Sequence, residues 1–171
     1  TFANKRIGSI VMNCNPFTNG HKYLVEKASG EVDILLIFVL EENKSFFKFE
    51  DRIEMVRLGT QHLENVYVVP SGNFIISALT FPEYFLKEQN QSIKVNPVND
   101  LELFGKSIAP HFNIRVRYVG TEPIDKVTNQ HNALMKDVLP RYNIEVKEIE
   151  RLKYNEKFIS ATEVRKCIKE K

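Results

Sequence analysis

The sequence has little of what would commit it to a membrane, a metal or a nucleic acid. No apolar run approaches the roughly 18 residues of a membrane span. The strongest, ILLIFVL from Ile34 to Leu40, has the length of a buried strand. Cysteine is nearly absent: Cys14 and Cys167 lie at opposite ends and form no metal-binding or redox spacing. No signal peptide precedes the first apolar run, so a reducing cytoplasm is the expected compartment. Charge of one sign is missing too. Lys and Arg number 24 against 22 Asp and Glu, a net charge of +2. The stretch from Glu145 to Lys171 is basic at first sight, but Glu145, Glu148, Glu150, Glu156, Glu163 and Glu170 interrupt it. That pattern argues against a nucleic-acid surface. There is no internal repeat and no low-complexity segment.

What is present suits one soluble domain over residues 1–171. The length supports one proper core and hardly two, and 43% apolar with 27% charged residues is ordinary globular composition. The chain begins at Thr1 rather than Met, which fits a piece cut from a longer protein. Strand-length apolar runs alternate with helical periods. RIGSIVMN predicts a first strand, HKYLVEKAS a helix that Gly30 can stop, and DILLIFVL a strand apolar on both faces, as in the middle of a parallel sheet. EDRIEMVRLGTQHL reads as a helix with Ile53, Val56 and Met55 inward, and NVYVVP as a third strand. FIISALTFPEYFLKEQ reads as loop, then helix from about Pro82. NDLELFGKSIAPHF reads as a helix opened by an Asn99–Glu102 capping pair. IRVRYVG, IDKVTNQHNALMKDVL, IEVKEIE and SATEVRKCIKEK continue as strand, helix, strand, helix. This is a doubly wound α/β order with a mainly parallel, five-stranded, Rossmann-like sheet. Ligands of such sheets bind beyond the carboxyl ends of the strands, where the strand order reverses.

The stretch MNCNPFTNGH, from Met12 to His21, leaves the first strand at that edge. It carries more polar chemistry than a turn requires. A helix starting here presents free N–H groups and a positive dipole end to a phosphate. Gly20 lets the backbone approach such a group, Thr18 adds a hydroxyl, and His21 can donate to an oxygen gaining charge. A purely structural account also exists, in which Thr18 or Asn19 caps the helix and His21 is a solvated first-turn residue. Late in the chain, ISATEVR from Ile159 to Arg165 opens another helix. Ser160 and Glu163 match a capping box, which leaves Thr162 and Arg165, three apart and on one face, unexplained. Hydroxyls, free N–H groups and a guanidinium there would suit the outer phosphates of a nucleotide.

The two stretches together resemble the paired signature of the nucleotidyltransferase superfamily. Thr18, Gly20 and His21 match its T/H-x-G-H motif, and Ile159, Ser160, Thr162 and Arg165 match its I-S-x-T-x-x-R motif. The resemblance narrows on IVMNCNPFTNGHKYLVEKA, FEDRIEMVRLGT, FIISALTFPEYFLKEQ, RYVGTEP and EVKEIERLKYNEKFISATEVR. These are similar, in order and over nearly the whole chain, to the catalytic domain of the citrate lyase ligases. The resemblance implies a nucleotidyltransferase-type sheet, preceded in that family by an acetyltransferase-like domain that is not in this sequence. It also implies a chemistry: acetate attacks the α-phosphate of ATP, and acetyl-adenylate and pyrophosphate form. The acetyl group then passes to the thiol of the dephospho-CoA-like prosthetic group on the acyl carrier subunit of citrate lyase. Mg2+ would be held mainly by the ATP phosphates. His21 would donate to an α-phosphate oxygen with Thr18 assisting, Ser160 and Thr162 would hold the outer phosphates, and Arg165 would neutralise charge there. The backbone near Asn13 and Asn15 would line the triphosphate site.

Other candidates come from position. Gly120 and Thr121, in GTEP after the fourth strand, can touch adenine or ribose, or form a left-handed turn. Lys44 and Lys48, after the second strand, are candidate phosphate contacts or solvated loop lysines. Arg52 is expected to pair with an acid. His62, His111 and His131 are expected at the surface, and Cys14 as a packed small residue. The segment SALTFPEYF can shape an acyl or thiol pocket, or cover a loop. Two other functions fit the same motifs: an adenylyltransferase acting on phosphopantetheine or nicotinamide mononucleotide, and a nucleotide-binding regulatory domain without catalysis.

Overall fold

The computed structural model describes residues 4–72, 97–122 and 126–170. Five parallel strands form its sheet: β1 (Ile7–Met12), β2 (Ile34–Val39), β3 (Val66–Pro70), β4 (Ile114–Gly120) and β5 (Glu145–Ile149), in the order β3-β2-β1-β4-β5. The doubly wound expectation is met. β2, the sequence ILLIFV, is buried at every position, as a strand covered on both faces must be. Helices α1 (Asn19–Ser29) and α2 (Phe49–Thr60) pack on one face, over Ile10, Leu35, Ile37, Val39, Val116 and Tyr118. Ile53 and Val56 are buried and Met55 half-buried, as their spacing predicts. The other face buries Ile7, Leu36, Phe38 and Ile114 under the stretch from α3 (Pro97–Leu103) to α4 (Ala109–Phe112) and under α5 (Lys126–Val138). A last helix, α6 (Ala161–Lys169), follows β5.

One local expectation is corrected, one is met in a different backbone conformation, and one element is new. Asn99 is not an N-cap: α3 starts at Pro97 and Asn99 lies inside it, and the same helical stretch passes through a π-helical segment at Phe104–Ile108 before α4. Gly30 stops α1 as its C-cap, as expected, though with a right-handed φ of −70° that any residue could adopt. Between β5 and α6 lies an unforeseen hairpin, β6 (Lys153–Tyr154) against β7 (Lys157–Phe158). Its two turn residues, Asn155 and Glu156, have φ of 48° and 63°, the hairpin-turn geometry that Gly more often supplies. The expected helix from Pro82, and SALTFPEYF with it, lie outside the described residues.

One irregularity matters for function. Ile7 pairs with Ile114, but Gly8 pairs with Val116, so Arg115 is an extra residue in β4. The bulge reverses the alternation of β4. Ile114 faces the α3–α5 layer and Val116 the α1–α2 layer, which turns Arg117 inward toward α3 and α5.

Candidate active site

β1 and β4 pair only as far as Ser9 and Arg117. Beyond that rung they part, and Ile10–Met12 and Tyr118–Gly120 line a cleft of about 530 Å³ at the carboxyl edge of the sheet. This is the point where strand order reverses, the expected ligand crevice. Asn13, Asn15, Thr18, Gly20, His21, Gly120, Thr121, Ser160, Thr162 and Arg165 all line it. Lys44 and Lys48 do not; both are exposed on the loop leading into α2.

Thr18 is the N-cap of α1, and the cap is reciprocal. Its hydroxyl accepts from the His21 N–H, and its own N–H donates to His21 Nδ1 at 3.0 Å. A backbone N–H can only donate, so Nδ1 accepts and the neutral imidazole carries its proton on Nε2. Burial, helped by the Arg151 charge, lowers the His21 pKa to about 4. The ring is therefore a neutral donor at pH 7, locked in one tautomer. Phe17 stacks on it with ring centroids 5.8 Å apart and rests on Gly59 of α2, where any Cβ would strike its ring. Gly20 has only ordinary room: a Cβ there would sit 3.6 Å from Ile159.

The β1 exit is tied down by Arg52. This side chain is fully buried. It donates to the Asn13 carbonyl at 2.8 Å, to Asn13 Oδ1 at 2.7 Å, and to the carbonyls of Phe47 and Glu42. The Glu42 carboxylate lies 3.5 Å away, so the expected acid pairing exists within a larger buried network. Asn15 Oδ1 accepts from Phe47 N–H at 3.0 Å. The side chains of Asn13 and Asn15 thus hold the loop entering α2, and their backbone faces the cleft. Cys14 between them is buried with φ of 55°, and burial raises its thiol pKa far above normal, against a smaller effect of Arg52. It is a packed residue with no thiolate to offer.

The second motif is built differently. Ser160 is the N-cap of α6, but its side chain makes no capping bond, so the Ser160–Glu163 box is not formed. No residue of α6 is buried. Arg165 donates across the cleft to the Asn15 carbonyl and, at 3.0 Å, to Thr162 Oγ1. The two motifs meet through that guanidinium.

The cleft also holds groups that motif reading did not single out. Arg151 pairs with Glu122 at 2.7 Å, and its N–H donates to Thr121 Oγ1 at 3.0 Å. Asn132 donates to the Gly120 carbonyl at 3.0 Å. Gly120 is not left-handed, and a Cβ on it would meet open space. His131, expected at the surface, lines the cleft instead; burial and then the Arg117 charge lower its pKa to about 4. His62 and His111 are on the surface, His62 bonded to Glu26. Among the described residues no group of three or more His, Cys, Asp or Glu is placed to hold a metal, and no helix is long and apolar enough to cross a membrane.

Comparison with known proteins adds the following. The family model described as the citrate lyase ligase C-terminal domain matches residues 7–171. The [citrate [pro-3S]-lyase] ligase of Escherichia coli (strain K12) is 42% identical over 168 residues, covering 95% of this chain and 48% of that protein. The Haemophilus influenzae protein of the same name is 42% identical over 171 residues, covering 97% and 51%. The chain spans about half the length of the curated relatives it matches. A solved bifunctional NMN adenylyltransferase/ADP ribose pyrophosphatase from Francisella tularensis superposes with a TM-score of 0.58 at 16% identity, over 95% of this chain and 41% of that one. At that identity the likeness shows the fold, which is of the nucleotidyltransferase type.

Proposed function

Since this chain belongs to the citrate lyase ligase family by its C-terminal domain, we propose that it houses the catalytic site of an ATP-dependent ligase that activates acetate and acetylates the acyl carrier subunit of citrate lyase. In the first step an acetate oxygen bonds to the α-phosphorus. The bond from that phosphorus to the bridging oxygen breaks, and its electron pair leaves with pyrophosphate. In the second step the thiol of the carrier's dephospho-CoA-like group attacks the acetyl carbonyl, loses its proton, and expels AMP. No enzyme nucleophile is needed, consistent with the packed, protonated Cys14.

The observation that carries this reading is the reciprocal Thr18–His21 cap. It leaves a neutral Nε2–H donor beside the N-terminus of α1, which suits an α-phosphate oxygen whose charge grows in the transition state. Ser160, Thr162 and Arg165 would take the outer phosphates, with Gly120 and Thr121 beside adenine or ribose. Magnesium would arrive with the triphosphate as part of the substrate and would supply charge neutralisation, with Ser160, Thr162 and Arg165 holding the phosphates that carry it.

The test is isotope exchange in the full-length protein. Labelled pyrophosphate should enter ATP when only ATP, magnesium and acetate are supplied, because acetyl-adenylate forms before the thiol acts. Exchange that ignores acetate but needs phosphopantetheine or a mononucleotide would make the protein an adenylyltransferase. ATP binding with no exchange under any of these conditions would leave a regulatory domain.

A further inference from the structure

We propose that the wall of the cleft beneath α5, with Arg117 at its floor and His131, Val11, Val119 and Met135 around it, is the pocket for the small carboxylic acid, and that the Arg117 guanidinium holds the carboxylate. The assignment rests on the ligase reading above and gives its acid a place.

Arg117 stands on the last rung before β1 and β4 part. The β4 bulge turns it inward, where a regular strand would have aimed it at the other layer. It is 4% exposed and lines the cleft. A buried cation is expensive unless paired and hydrogen-bonded. Yet its Nε is buried without a hydrogen-bond partner among the described residues. The Phe104 ring lies 4.6 Å from the guanidinium carbon and steadies its plane. Burial lowers its pKa to about 10 against the smaller opposing effect of Asp100 on α3, so it remains cationic at neutral pH. Nε is sealed from the cleft, so it is the rest of the guanidinium, at the cleft wall, that offers a carboxylate the two parallel bonds of a fork.

The neighbours set the size and charge of the guest. His131 is neutral at pH 7 and can donate one N–H without adding a second cation. Val11, Val119 and Met135 offer apolar surface for a methyl group. One cation and one neutral donor suit a monoanion. The more highly charged phosphates have their own donors at the starts of α1 and α6 and at Arg165. The two subsites lie on either side of the β1 end, so an acid held at Arg117 and a nucleotide at His21 share one cleft.

The experiment is acetate-dependent pyrophosphate exchange in full-length wild type and in Arg117→Gln, Arg117→Lys and His131→Gln, with ATP binding followed by calorimetry. Arg117→Gln should raise the KM for acetate at least tenfold and leave ATP affinity within about twofold, with Lys recovering part of the loss. His131→Gln should raise it by less. Met135→Ala should shift the kcat/KM ratio toward propionate over acetate, and this readout stands even if Arg117→Gln fails to fold. An unchanged acetate KM in the Arg117 or His131 variants, or equal losses for ATP and acetate, overturns the subsite while the ligase reading survives. An unaltered acid preference in Met135→Ala does the same. Wild-type exchange that ignores acetate overturns both, so the two failures are distinguishable.

Discussion

The two motifs that face each other across the cleft are held in opposite ways. The exit of β1 is part of the core. Arg52 is buried under it, Asn13 and Asn15 spend their side chains on the loop before α2, and His21 is clamped by the Thr18 cap and the Phe17 ring. Helix α6 is held more lightly: Arg165 near its start reaches the Asn15 carbonyl, and Lys169 at its end sets its ammonium 5.3 Å from the Phe46 ring centroid. A donor that acts on developing charge must not relax when that charge appears, so it belongs on rigid structure. A group that wraps the outer phosphates must let a large anion in and pyrophosphate out, so a lightly tied helix serves it better.

The comparison breaks most severely at Arg52. Arg52→Met removes a buried network: Asn13 Oδ1 and the carbonyls of Asn13, Glu42 and Phe47 lose their guanidinium donor, and the Glu42 carboxylate is left with its bonds from Lys44 and Ser45. The expected loss is about 3 kcal/mol of stability, toward the lower end of the range for splitting a buried pair because Glu42 can reach water. Urea unfolding measures it. A loss below about 1 kcal/mol would mean that the loop, not Arg52, holds the β1 exit.

His21→Ala tests the rigid side chemically. Adenylate formation should slow by roughly a hundredfold or more, the usual scale for one transition-state donor, with a much smaller change in ATP affinity. Equal losses in binding and turnover would reduce His21 to a ground-state phosphate ligand.

Arg165→Ala tests the loose side. Binding of ATP and pyrophosphate should weaken by about tenfold or more, the scale of a charge-assisted hydrogen bond, and AMP binding by less. Lysine should restore part of it. Amide exchange should quicken along α6 and stay unchanged in α1. Faster exchange in both helices would show that Arg165 also supports the β1 exit.

Much of this arrangement was legible in the sequence, and the parts that were not share a cause. β2 reads as a doubly covered strand because its apolar run has strand length, is rich in Ile, Val and Phe, and shows no polar alternation. TNGH reads as a helix start because its residue types are those of a cap. Arg117 was missed because strict alternation puts it beside Arg115, away from Ile114, and one extra residue in β4 reverses that phase. His131 was missed because the cleft it lines, and the Arg117 charge fourteen residues away in sequence, are brought to it only by the fold. The hairpin was missed because Asn155-Glu156 lacks the glycine that usually marks such a turn. The Ser160–Glu163 box fails for the opposite reason: a matching pattern states what side chains can do, and Ser160, at the cleft, makes no cap bond.

The smallest expected effect concerns acid, and it separates the two sides by chemistry rather than by packing. The His21 pKa falls from an ordinary 6.5 to about 4, and His131 moves the same way. Between those values the unfolded chain binds protons that the folded chain refuses. Stability is therefore greatest above about pH 6.5 and declines as the pH falls toward 4. At His21 the reason is specific, because a protonated Nδ1 can no longer accept the Thr18 N–H and the cap opens. Helix α6 contains no histidine, so acid should loosen the start of α1 before it loosens α6. Glutamine can fill the same place in a capping box without titrating. His21→Gln should accordingly keep the neutral-pH melting temperature within a few degrees of wild type and flatten its decline between pH 6.5 and 4, with the remaining slope owed partly to His131. Melting curves across that range decide the matter. If His21→Gln declines as steeply as wild type, the lowered pKa of His21 does not couple to folding.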